Sequence, residues 1–157
     1  MPLLHFYTLL GGVLLILFYR QLLDPYISKR SLNLLISIYV AFSVINSLFW
    51  ESIFAFNTNA LAIQAIILSC LSISYFSISL ITIGEKPKNS SAINWINSGI
   101  FIFFISNLLL YYFGELLMNK VLKGGPFREI WMIHSLITFV SYICYSIGLW
   151  KTAKHST

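Results

Sequence analysis

Charge is the scarcest thing in this sequence. Ten Lys and Arg and five Asp and Glu make up 10% of its 157 residues, where a soluble domain carries about a quarter. A chain that is 58% hydrophobic, with mean hydropathy +0.82, belongs in a bilayer rather than in water. Asp24 is the only aspartate and lies in a loop, so a Ser-His-Asp triad is not available. Three histidines are too few for membrane di-iron chemistry, and no H-x-x-H or E-x-x-H pair occurs, so neither a dedicated metal site nor a cofactor is expected. The two cysteines, Cys70 and Cys144, sit inside apolar runs and outside any C-x-x-C pair, which makes them small apolar residues rather than a disulfide framework. There is no glycine-rich phosphate loop after a strand; Gly124-Gly125-Pro126 is a turn. Nor are there heptads, internal repeats or low-complexity tracts. The N-terminus lacks both a basic n-region and a small-x-small cleavage site, so its apolar run is expected to be a first span rather than a signal peptide.

What is present is five long apolar runs. They predict an all-α polytopic transmembrane helix bundle, one integral membrane unit with spans at about 3–19, 31–54, 61–83, 92–117 and 130–150. A four-span arrangement, with the first run lying on the surface, is the competitor. The positive charge (net +5) sits beside the spans, so it bears on orientation and not on nucleic acid, which is not expected as a partner. Loops one and three and the C-terminus hold Arg20, Lys29, Arg30, Lys86, Lys88, Lys151 and Lys154. The opposite side holds only Lys120, Lys123 and Arg128. The expectation is an N-terminus outside and a C-terminus in the cytoplasm of a bacterial inner membrane.

Polar residues inside such runs carry the functional question, because they are costly there unless they face protein or a cavity. In the last span, IWMIHSLITFVSYICYSIGLW, a helix turning about 100° per residue gathers His134, Ser135, Thr138, Ser141, Tyr142, Tyr145 and Ser146 on one side. That stripe is expected to turn inward. In span two, Asn33, Ser37, Val40, Val44, Ser47 and Glu51 share one face, and Tyr39, Ser43, Asn46 and Trp50 the adjoining one. Span four carries Asn94, Asn97 and Ser98 near its start, then Asn107 and Glu115. Scattered serines in span three either pack against neighbours or bond back to their own helix. With the orientation above, His5, Glu51, Glu115 and His134 reach one leaflet, with Asn57, Asn59, Arg128 and Glu129 near the same level. Helix ends at an interface normally carry such groups; the His134 stripe is the most suggestive. Trp50, Trp131 and Trp150 suit interfacial belts.

Three blocks, INSLFWESIFAFNTNA, INWINSGIFIFFISNLLLYYF and IWMIHSLITFVSYICYSIGLW, resemble a family of uncharacterised multi-spanning membrane proteins of Bacteroidetes-type bacteria. Similar blocks form the membrane half of some sensor histidine kinases. The resemblance spans roughly Asn46 to Trp150 and rests on Asn46-Ser47, Phe56-Asn57, Trp95-Ile96-Asn97-Ser98-Gly99, Asn107, and Trp131 with His134. It implies asparagines in the last span, where this chain has Thr138 and Tyr142. The expected function is a non-catalytic sensory or accessory module that binds a ligand, a partner helix or a second copy through spans two, four and five. The candidate residues are His134, Glu51, Asn46, Asn97, Asn107, Thr138, Tyr142, Glu115 and His5. A transporter or channel subunit is the alternative, and a small membrane enzyme pairing His134 with Glu51 or Glu115 the third reading.

Overall fold

A computed structural model describes residues 1–81, 90–116 and 127–154, with the side chains at 90, 111–116 and 127–130 excepted. The described residues are all-helical: α1 (Pro2–Leu22), α2 (Lys29–Ile45) continued by a π-helical turn (Asn46–Trp50), α3 (Thr58–Ile81), α4 (Ser90–Leu116) and α5 (Phe127–Lys154). Five helical stretches of 20 to 24 residues are long and apolar enough to cross a membrane, as expected. These are the helices of a multi-pass membrane protein. The chain divides into two compact units, Met1–Leu71 and Ser72–Thr157, with the boundary inside α3.

In the first unit the inward face of α1 is His5, Thr8, Gly12, Ile16 and Tyr19, a stripe that recurs every three or four residues as one side of a helix must. Its other side, including Leu3, Phe6, Tyr7, Leu10 and Leu14, is exposed and apolar. A helix whose outer face is as greasy as its inner one is at home in hydrocarbon, where packing and interhelical bonds, not exclusion of apolar surface, hold helices together. Tyr39 of α2 fits against α1 only because residue 12 is glycine: a Cβ there would lie 2.5 Å from the Tyr39 ring. The phenol then donates to the Thr8 carbonyl at 2.8 Å.

This contact selects which polar face of α2 turns inward. Tyr39, Ser43 and Asn46 are buried, whereas Asn33, Ser37 and Val44 are exposed. The Ser37 hydroxyl satisfies itself by donating to the Asn33 carbonyl of its own helix. The second span was expected to run on to Phe54. It stops at Trp50, where the Glu51 amide closes a π turn on the Asn46 carbonyl at 2.8 Å. Phe49, Trp50 and Phe54 stand exposed around this corner, as side chains at a membrane–water boundary do.

In the second unit α4 and α5 pack antiparallel at close range. A Cβ on Gly99 would come within 2.9 Å of the Ser141 carbonyl, and one on Gly148 within 2.9 Å of the Ala92 carbonyl, so small residues set the separation. At one end Lys151 donates to Ser91 at 2.8 Å and lies 5.7 Å from the centre of the Trp95 ring. That is a snorkelling cation held over an aromatic face. Trp131 and Trp150 are exposed. Most of the third and fourth loops, with Lys86, Lys88, Lys120 and Lys123, lies outside the described residues.

Candidate functional site

Two groups of polar side chains were candidates, and they have opposite fates. In the first unit the π turn projects Asn46 into the protein, where it is fully buried. One amide proton goes to Glu51 Oε2 at 2.7 Å and the other to Asn57 Oδ1 at 3.2 Å, while its own oxygen accepts from Asn59 Nδ2 at 3.1 Å. Both amide protons and the oxygen of Asn46 are therefore engaged. Glu51 Oε1 accepts from the Asn59 backbone amide at 3.0 Å, so its carboxylate caps α3 at the end where the helix dipole is positive. Asn57 caps the same helix through its carbonyl, which accepts from the Leu61 amide at 3.2 Å. These four side chains stitch the end of α2 to the start of α3.

His5 belongs to the same end of this unit and is just as occupied. Its Nε2 lies 3.3 Å from the Ala55 carbonyl and its Nδ1 2.8 Å from the Ser47 hydroxyl. A carbonyl can only accept, so Nε2 carries a proton, while the Ser47 hydroxyl, able to donate or accept, engages Nδ1. The Met1 ammonium donates to the Ile53 carbonyl at 2.6 Å, pinning the start of α1 to the same loop. Both imidazole nitrogens are spoken for, leaving none to ligate a metal. Among the described residues no three His, Cys, Asp or Glu come together.

In the second unit Asn97 is fully buried and bridges to α3. It accepts from the Ser72 hydroxyl at 3.0 Å and donates to the Ser72 carbonyl at 3.2 Å. One turn away Tyr75 donates to Asn94 Oδ1 at 2.9 Å. These are interhelical fasteners of the kind polar groups form in hydrocarbon. Neither Ser72 nor Tyr75 stood out in the sequence: span three has five serines at scattered positions, and only packing distinguishes Ser72 from Ser77, which bonds back to Ile73.

The α5 stripe is narrower than expected. Ser141, Cys144 and Gly148 form its buried line, with His134, Thr138 and Tyr145 partly covered. Ser135, Tyr142 and Ser146 are exposed, and the two serines donate to carbonyls of their own helix at 2.8 and 2.9 Å. Tyr142 is 59% exposed, so it lies on the outer side of α5. Within the inward part Ser141 donates to the Ile137 carbonyl at 3.0 Å, whereas the His134 end is left open. His134 Nδ1 and Thr138 Oγ1, one turn apart, are both buried atoms with no hydrogen-bond partner among the described residues. The His134 ring stands edge-to-face with Trp131, at 5.8 Å between centres.

Antiparallel pairing that sets Gly99 against Ser141 and Tyr145 brings Asn107, two turns further along α4, level with His134 and Thr138. Asn107 is buried. Glu115 lies within α4, and its side chain, like those of Arg128 and Glu129, is outside the described set. Compared with known proteins, the chain matches no family model, no curated protein and no solved structure.

Proposed function

We propose that the protein is a non-catalytic multi-pass membrane module that takes a ligand or a partner helix at the His134–Thr138 line of α5, level with Asn107. One observation carries this reading: on α5 the buried atoms His134 Nδ1 and Thr138 Oγ1, one turn apart, both have no partner among the described residues, whereas the other such atoms, Arg20 Nε, Ser43 Oγ and Ser69 Oγ, stand singly on α1, α2 and α3. A buried donor or acceptor left open costs about 1–3 kcal/mol. Such a cost is sustained where something else completes the pair. Asn46, Glu51, His5 and Asn97 are spent on holding helices together and do not belong to the site. A sensory or accessory role in a bacterial inner membrane, with the N-terminus outside, is supported by the resemblance of the three sequence blocks to sensor membrane domains and by the loop charges. The chemistry offered is neutral hydrogen bonding next to an indole, which suits an uncharged ligand with a hydroxyl or carbonyl group, or a polar residue on a partner helix.

The test is a thermal-shift screen of detergent-purified protein against hydroxyl- and carbonyl-bearing amphiphiles. At least one is expected to raise the unfolding midpoint of the wild type and to lose that effect in Thr138→Val and His134→Ala, both of which still fold. If the variants respond like the wild type, or nothing in the screen shifts it, the site is withdrawn.

A further inference from the structure

The first unit also holds buried polar atoms without a partner among the described residues, Ser43 Oγ, Ser69 Oγ and Arg20 Nε, and only the last belongs to a charged group. Arg20 occupies the last turn of α1, next to the fully buried Tyr19 and one turn before the fully buried Leu23. Its Nε is buried and has no hydrogen-bond partner among the described residues. A guanidinium stays charged at any biological pH and presents five donors in a planar fork, so it demands an anion. Among the described residues none is free to supply one. Asp24 is the only carboxylate before Glu51, and it pairs with Lys29 at 2.8 Å. Glu51 stands past the other end of α2, roughly 30 Å along the helix axis, and is committed to Asn46 and Asn59.

Depth supplies the missing partner. α1 is 21 residues long, which spans about 30 Å, the thickness of the hydrocarbon layer. If Pro2 enters at one face, Arg20 reaches the other at the level where headgroup phosphates begin. We propose that Arg20 holds the phosphate of an anionic phospholipid at the α1–α2 corner, with its aliphatic stem packed on protein and its fork turned to the headgroup. Arg30, exposed at the start of α2, adds to the general attraction for an anionic leaflet but is not part of the clamp.

The experiment compares thermal unfolding in nanodiscs of phosphatidylcholine alone and of phosphatidylcholine with about one lipid in five replaced by phosphatidylglycerol. Anionic lipid is expected to raise the wild-type midpoint by several degrees. Arg20→Gln abolishes the rise. Arg30→Gln, with the same loss of charge, retains most of it. Arg20→Lys keeps the charge without the fork and retains less than half. Inorganic phosphate added to the phosphatidylcholine discs leaves the midpoint unchanged if the anion is a headgroup. A rise with inorganic phosphate that Arg20→Gln removes would assign the clamp to free phosphate and overturn the lipid proposal. Lipid carried through purification gives a readout independent of stability: phosphatidylglycerol retained by the wild type is depleted in Arg20→Gln and Arg20→Lys. Equal effects of Arg20→Gln and Arg30→Gln, or full retention in Arg20→Lys, would reduce the clamp to diffuse electrostatics and sink it.

Discussion

The polar knot of the first unit and the polar line of α5 in the second are built from the same kinds of residues, yet one is closed and the other open. Asn46, Glu51, Asn57 and Asn59 exchange hydrogen bonds that engage both amide protons and the oxygen of Asn46. His134 Nδ1 and Thr138 Oγ1 are buried and have no partner among the described residues. In hydrocarbon a closed network acts as a fastener, and its members are conscripted by structure however suggestive they look in sequence. An open pair is a standing cost, and it is there that a ligand or partner gains binding energy without displacing protein bonds. The number of polar residues in a span is thus a poor guide to function; what each one is bonded to decides.

This contrast is open to direct attack. Asn46→Leu deletes three hydrogen bonds and orphans Asn57 Oδ1 and Asn59 Nδ2. It is expected to cost about 2–3 kcal/mol, measured by reversible unfolding in mixed micelles. A loss below about 0.5 kcal/mol would show that the knot is decoration. Glu51→Gln keeps the shape but replaces one acceptor by a donor and removes the negative charge from the start of α3. About 1 kcal/mol should go, and amide exchange in the first turn of α3 should accelerate while that of α5 does not. The smallest effect carries the opposite sign. Thr138→Val swaps an unpaired hydroxyl for a methyl of the same shape, so without ligand it should leave stability unchanged or raise it by up to about 1 kcal/mol. Marked destabilisation by that substitution would mean that Thr138 already has a structural partner, and the difference between the two regions would disappear.

Five membrane-length helices were legible because hydropathy is summed along contiguous chain, and a run of uncharged residues stays uncharged whatever it packs against. The special character of Asn46, Asn97 and His134 was visible for the same reason, since polar groups stand out in apolar surroundings. Their roles were not. In span two the faces centred on Asn33 and Ser37 and on Tyr39, Ser43 and Asn46 look equally polar on a helical wheel. Only the absence of a side chain at Gly12 draws Tyr39, and with it Asn46, inward. In the last span the seven-residue stripe splits because Gly99 and Gly148 bring α4 against a line through Ser141, leaving Tyr142 and Ser146 outside.

The sequence by itself therefore determined the all-helical class and the number of membrane-length helices, both properties of local composition. The tertiary structure decided which polar atoms find partners. A hydrogen bond depends on two groups, often distant in sequence, meeting within about 3 Å, and periodicity along one helix carries no information about the other.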